Sequence, residues 1–427
     1  MLMMILTVLS SMALLASTAA QTVSQACPNV TPALYPYNLR QGWSAVKVAG
    51  GLTSPRDLVI DAKGRLLIVE EGVGVSQHTV DASGCITVSH RLISKPELNH
   101  GIYLSPDGGS LYASTSSSVF SWVYDPETGS VSESPDTLVT GMATSGHATR
   151  TLIIPPHEPS LLMVSHGSNS NLDYPSIDPS TARAIVKVFN ISSVPDGGYD
   201  FATAGWNAGF GLRNDVALAF DANNMLWSVE NSADSLNRSV DGTTLDIHQD
   251  NPAEELNYLG DVTKPNDKWY GYPICFTVWN PDAIRDRQFQ IGGQFVPAPS
   301  NIYNDDSCAR MSEPPRLSLQ AHSAPLGSKF DSTFSNLFVS LHGSWNRQPP
   351  TGYKLVAIPF TKEPDASYAP VANASDGAGY IDIFYPPDEG ACSSSTCARP
   401  VGIVFDAASR IYMTSDTSGE VFLLSVS

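Results

Sequence analysis

Short apolar runs recur along the chain, paired across turns rich in Asp, Pro, Gly and Asn. The pattern stands in "DLVIDAKGRLLIVEEG" from Asp57, "GIYLSPDGGSLYASTS" from Gly101 and "TLIIPPHEPSLLMVSHG" from Thr151. It returns in "DVALAFDANNMLWSVEN" from Asp215, "GSKFDSTFSNLFVSLHG" from Gly327 and "GIVFDAASRIYMTSDTSG" from Gly402. Such turns join hairpin strands. Further strand-like runs, such as "AIVKVFNI" and "YKLVAIPF", follow several units. Each unit therefore predicts one antiparallel sheet of about four strands, too small to bury both faces alone. Radial stacking buries both faces and leaves few open edges. The repeats predict an all-β chain, a six-bladed β-propeller, with the strand near "WSAVKVAGG" completing the last blade. The unit spacing is uneven. Extra length between the fourth and fifth units, about residues 236–320, predicts long loops on one face. Loops on a rigid scaffold are where binding and catalysis gather.

The ends and the cysteines refine this picture. Residues 1–20, "MLMMILTVLSSMALLASTAA", are apolar and end in small residues. They read as a secretory signal peptide cleaved near Ala20, although the usual basic start is missing. Residues 21–43 then form an N-terminal arm, and residues 44–427 a single propeller domain. The six cysteines lie beyond the signal. In a secreted chain an even number suggests disulfides, and many connectivities are open. Cys392–Cys397 would close a Ser-rich loop, Cys275–Cys308 would staple the long insertion, and Cys27 and Cys85 are left. Sequons at Asn29, Asn190, Asn237 and Asn373 agree with secretion. The net charge of −18 and the absence of a basic cluster exclude nucleic-acid binding. No apolar run after the signal is long enough to span a bilayer, and a glycan-covered monomer is expected.

The polar residues at the ends of the repeats carry the candidate chemistry. His147 and Arg150 precede the third unit, and His166 follows its second strand. "GLRND", with Arg213 and Asn214, precedes the fourth unit, and "ENSADSL" from Glu230 follows its second strand. Lys268 and Trp269 lie in "PNDKWYGYP", His322 in "AHSAP", His342, Trp345 and Arg347 in "LHGSWNR", and Arg399 in "CARPVG". A propeller gathers such chain-distant loops at one end of its axis. An isolated loop histidine is most often a surface group, and each cation alone could be a solvated one. Several cations at one site of an acidic protein instead point to an anionic ligand, and arginine suits carboxylate or phosphate. The oxygens of "ENSADSL" suit a hard cation such as calcium.

Taken in order, "GHATR", "GLRN", the "EN…D" loop, "KWYGYP", "HGSWNR", "RPVG" and "TSDTSGEV" resemble the soluble quinoprotein sugar dehydrogenases. "AHSAPLG" and "SLHGSWNRQPPTGYKLVAIPF" are particularly similar to the fungal pyranose dehydrogenases of auxiliary activity family 12, which depend on pyrroloquinoline quinone (PQQ). The resemblance covers about residues 44–425. Some members also carry a cytochrome domain and a cellulose-binding module, and neither is expected within these 427 residues. The resemblance implies PQQ and Ca²⁺ as cofactors and a pyranose as substrate. It implies that His147 takes the proton of a sugar hydroxyl while hydride passes to the quinone, and that Arg213 stabilises the charge that develops. Arg213, Asn214, Lys268, Trp345 and Arg399 would contact PQQ. Backbone carbonyls of Ser232 and Ala233 would ligate Ca²⁺, where bacterial relatives have Gly-Pro. Arg150 is expected to support the loop. Electrons would pass to an external acceptor such as a cytochrome or a copper polysaccharide monooxygenase, not to oxygen. Two rival readings are a calcium-dependent propeller lactonase and a non-catalytic carbohydrate-binding propeller. The cation cluster argues against the first. The blade-to-blade differences argue against the second.

Overall fold

The computed structural model describes residues 25–427; the predicted signal segment, residues 1–20, lies outside them. Six principal sheets surround one axis, each built on four antiparallel strands. Blade one runs Pro55–Ile60, Leu66–Glu70, Gly74–Val80, Ile86–Ser94. In blade six, the strand Trp43–Ala49 pairs with Glu420–Val426, so the N-terminal strand closes the ring as the repeats predict. The arm does more than trail. Gln25–Ala26 extends blade six, and Asn38–Leu39 extends blade five. Among the described residues no helix is long and apolar enough to cross a membrane.

One aspartate explains the repeated turn. In blades one, four, five and six the residue after the innermost strand is Asp61, Asp221, Asp331 or Asp406. Each carboxylate accepts the amides two and four residues on, at 2.8–3.1 Å. The side chain supplies bonds that the tight reversal denies the backbone. In blade four the second oxygen of Asp221 also accepts the indole N–H of buried Trp227 at 2.9 Å.

Alternate residues of every strand point to opposite neighbours, so the apolar core is divided into interblade layers. Tyr112, Leu162 and Phe189 pack between blades two and three, and Leu218, Leu226 and Met163 between three and four. Trp227, Leu317 and Val356 pack between blades four and five. Ile411, Phe422, Leu58 and Tyr412 fill the layers that close the circle.

The long insertion differs from its expectation. Residues 236–320 are not all loop: Glu254–Gly260 and Leu317–Leu319 are the third and fourth strands of blade four. The remaining length forms the hairpin Asn237–Val240 with Thr243–Asp246 and a small ladder of Phe276–Thr277 with Gln294–Phe295. It also carries the helix Asp305–Met311, opened by an Asn304 capping box. Buried Arg238 pairs with Asp286 and Asp305, and Cys275–Cys308 staples the segment. Cys27–Cys85 and Cys392–Cys397 are also bonded.

Candidate active site

The loops entering the innermost strands place His147, Arg213 and Asn214 together around Gly167. A Cβ at Gly167 would lie 2.5 Å from the His147 Cβ and 2.7 Å from Asn214 Oδ1. Only a residue without a side chain allows that approach. The histidine is fixed by Ser168: its amide donates to the Ser168 carbonyl at 2.9 Å. Its Nδ1 lies 3.1 Å from the same carbonyl and 3.0 Å from the Ser168 hydroxyl. That hydroxyl already donates to the Ser170 carbonyl at 2.7 Å. Both neighbours of Nδ1 therefore accept, so Nδ1 carries the proton and Nε2 keeps its lone pair. Burial and the positive charge of Arg213 push the His147 pKa down to about 4, against weaker opposing effects of Ser168 and Asp234. The ring is therefore a neutral proton acceptor in mildly acidic and neutral solution.

Arg213 is buried and fully engaged. Its N–H groups donate to the carbonyls of Asn171, Asn231 and Ser232, to Asn171 Oδ1, and to Asp234 in an ion pair of 2.8 Å. A guanidinium has five N–H bonds, and all five have protein acceptors here. The expected contact between Arg213 and a ligand would therefore be made with its guanidinium N–H groups already held by the loop. Asp234 joins three neighbours, accepting also from Asn346 at 2.7 Å and facing His322 at 3.7 Å. Against the effect of burial, His322 and Arg213 hold the Asp234 carboxyl below its ordinary range. Glu254 receives the amides of Ser232 at 2.6 Å and Ala324 at 3.2 Å, and so ties the "ENSADSL" loop to blade five.

A second group of charges stands at the entry to blades one and six. Arg399 is half-buried, donates to the carbonyls of His342 at 3.0 Å and Gly343 at 2.9 Å, and lies 5.7 Å over the Tyr353 ring. Among the described residues no carboxylate stands at ion-pair distance from it, so its charge is open to an anion. Beneath it His342 Nε2 lies 2.9 Å from Asp416, which also pairs with Arg56 at 2.6 Å. The segment from His342 to Asn346 links this group to Asp234. Within it Trp345 is 75% exposed, an aromatic face with nothing over it.

Other expected residues sit differently. Lys268 does not join the cluster. Asn266, two residues earlier, holds the carbonyls of Ala208 and Leu259, clamping the stretch to the strand edge, and exposed Lys268 pairs with Glu313 at 2.8 Å. Arg150 is wholly buried and donates to the carbonyls of Ser116, His147, Thr149 and Ala143, so it holds the His147 loop. His166 faces the carbonyls of Gly167 and Ala143 instead of His147. The carbonyl of Ser232 accepts from Arg213 at 2.6 Å, and Ala233 is buried. Reading the sequence did not single out Ser168, Asn171, Arg56, Glu254 or Asp416 for the site. Arg56 was accessible, because arginines stand at or just before the start of the innermost strand in four blades, at positions 56, 150, 213 and 399.

These features match known proteins along most of the chain. The TrAA12-like family model matches residues 37–427. A PQQ-dependent pyranose dehydrogenase of Coprinopsis cinerea is 40% identical over 405 residues, 93% of this chain and 56% of that protein. This chain thus spans little more than half of that relative. A PQQ-dependent sugar dehydrogenase of Hypocrea jecorina is 34% identical over 90% of this chain and 88% of its own length. The solved holo form of the pyranose dehydrogenase PQQ domain from C. cinerea superposes with a TM-score of 0.91 at 39% identity, covering 94% of this chain and all of that domain. A Trichoderma reesei family AA12 structure superposes with 0.87 at 34% identity over the same share of this chain. With one propeller architecture and one motif order from end to end, the chain belongs to the TrAA12-like family, auxiliary activity family 12.

Proposed function

We propose that the chain is a secreted quinoprotein dehydrogenase that oxidises a pyranose, at the anomeric carbon, and passes the electrons to an external acceptor other than oxygen. The observation that carries this reading is the state of His147: Nδ1 is tethered to Ser168, Nε2 is free, and the ring stands beside Arg213. The named activities of the C. cinerea and H. jecorina relatives supply the reaction class. Exposure of all four sequon asparagines supports the secreted setting.

The residues fit the implied cofactor. Arg399 offers a half-buried positive charge without a carboxylate partner, Asn214 a polar side chain beside His147, and Trp345 an open aromatic face. These groups would hold a flat polyanion such as PQQ. The donors at Ser232, Ala233 and Asp234 are hard oxygens that fit calcium, with Arg213 sharing the Ser232 carbonyl. With cofactor and ion in place, the chemistry supplied is acceptance of a hydride equivalent at a polarised carbonyl. His147 accepts the hydroxyl proton at Nε2, and Ser168 holds the ring so that this nitrogen faces the substrate. Burial, with the charge of Arg213, keeps His147 neutral, and Arg213 provides positive potential where negative charge develops. Asn346 and His322 orient Asp234, and Asp234 orients Arg213.

The test is direct. Purified PQQ-free protein is mixed with Ca²⁺ and PQQ, and quinone absorbance and dye reduction are followed with a panel of pyranoses. The proposal expects PQQ binding at micromolar concentration and dye reduction that needs both a sugar and PQQ. Absence of PQQ binding at that concentration rules the reading out.

A further inference from the structure

The loop that leads to Arg399 is closed by a disulfide that spans very little chain. Cys392 and Cys397 are 5 residues apart, against 33 for Cys275–Cys308 and 58 for Cys27–Cys85. The chain entropy that a crosslink removes from the unfolded state grows with the loop it closes, so this bridge contributes least to global stability. Its effect is local. Among the described residues, the hydrogen bonds of Ser393, Ser395 and Thr396 run to one another and to the Ala391 carbonyl, not to the propeller. Ala398 packs into the core and holds the backbone beside Arg399. The guanidinium needs a separate support.

Tyr353 links the bridge to that guanidinium. Both cysteines are buried and pack with Tyr353 in one small cluster. Tyr353 holds a φ of 58°, in the left-handed region that bulky residues rarely adopt. Its hydroxyl donates to the Ser344 carbonyl. Its ring lies against Gly343, where a Cβ would come within 2.5 Å of Tyr353 Cδ2. The Arg399 guanidinium stands 5.7 Å from the ring centroid and donates to the Gly343 carbonyl at 2.9 Å. Glu389 opens the short turn Glu389–Ala391, which Cys392 follows. It accepts the Thr351 hydroxyl and the Gly352 amide, each at 2.6 Å, and pairs with Lys354 at 3.0 Å. The residues on either side of Tyr353 are thus tied to the turn that enters the bridge.

We propose that the Cys392–Cys397 disulfide and Tyr353 are positioning elements for Arg399, holding its guanidinium ready for an anionic ligand. This rests on the proposed function, in which Arg399 meets the anionic cofactor. An arginine has many rotamers, and fixing one before binding removes an ordering cost from the binding step. A carboxylate could fix it too, but would cancel its charge. An aromatic ring and two carbonyls fix it and leave the charge open. The ring can do this only while it keeps its place over Gly343, and the bridge packed beside it holds it there.

The experiment compares wild type with the double variant Cys392→Ser, Cys397→Ser. Hydrogen exchange is read in PQQ-free protein, and PQQ affinity is then titrated in the presence of Ca²⁺. The Ser344 amide, which donates to the Thr351 carbonyl at 2.9 Å, reports on the segment under Arg399. In the variant it should exchange about tenfold faster, while amides of the central strands keep their wild-type rates. The PQQ dissociation constant should rise about five- to tenfold. Should the double variant not fold, Glu389→Ala cuts the tie to Thr351 and Gly352 and should show the same two shifts. Unchanged Ser344 exchange overturns the proposal, as does faster exchange with wild-type PQQ affinity. A uniform rise in exchange across the core also overturns it, because the bridge would then serve only global stability. If wild type binds no PQQ, the proposed function falls, and the exchange result alone upholds or overturns the positioning of this segment.

Discussion

The proposed proton acceptance at His147 depends on which ring nitrogen is free. The Ser168 contacts leave Nε2 unprotonated, and burial beside Arg213 pushes the pKa down to about 4. A base works only when neutral, so activity should be lost as pH falls through about 4. A kcat/KM profile checks this; an acid limb centred on the ordinary histidine value would contradict it. Gly167 is the second residue to test. In Gly167→Ala the new methyl meets His147 and Asn214 within 2.7 Å. Turnover should fall about a hundredfold through misplacement, with a stability loss of about 1–3 kcal/mol, read from kcat and a urea midpoint. His147, Asn214 and Arg399 stand at equivalent ends of a repeat, and the resemblance to the family, more than their spacing, drew them out of the sequence. Ser168 was not legible there, because its role depends on a backbone approach that no side-chain pattern encodes. Lys268 misled because the clamp holding it away is Asn266, an ordinary loop asparagine.

The element that best explains the fold is the hairpin with an aspartate at its turn. Asp221 caps two amides and also takes the Trp227 indole, whereas Asp331 caps its turn without an indole. Asp221→Ala should therefore cost about 2–4 kcal/mol, since it leaves a buried N–H unpaired, and more than Asp331→Ala. Urea unfolding of the two variants decides this; equal losses would show that the indole bond contributes nothing. The same turns made the blades readable, because Asp, Gly and Asn recur between apolar runs. The third and fourth strands of blade four were hidden for the opposite reason. "EELNYLG" begins with two acids and carries a buried Asn257, so its polar face reads as loop.

At the scale of the molecule, buried acids and buried histidines oppose each other. Burial pushes Asp215 and Glu254 up to about 7, above their unfolded values. Their stabilising effect is complete below the unfolded value and is lost as pH rises through about 7. Burial pushes His78 and His147 down to about 4, so their effect is present above 6.5 and lost as pH falls. Between about pH 6.5 and pH 8 only the acids of these two sets titrate. In EGTA the melting temperature should therefore fall as pH rises across that window; a melting temperature that rises instead would contradict the assignment. The ring itself is closed by the strand Trp43–Ala49, so the cofactor face is assembled from loops that meet only in the complete propeller. The most direct measurement of the central claim is a single turnover of PQQ-loaded protein with excess pyranose, in wild type and His147→Ala, with PQQ affinity measured alongside. The account predicts nearly unchanged PQQ affinity and cofactor reduction slowed by orders of magnitude in the variant. Reduction at the wild-type rate in His147→Ala would contradict it.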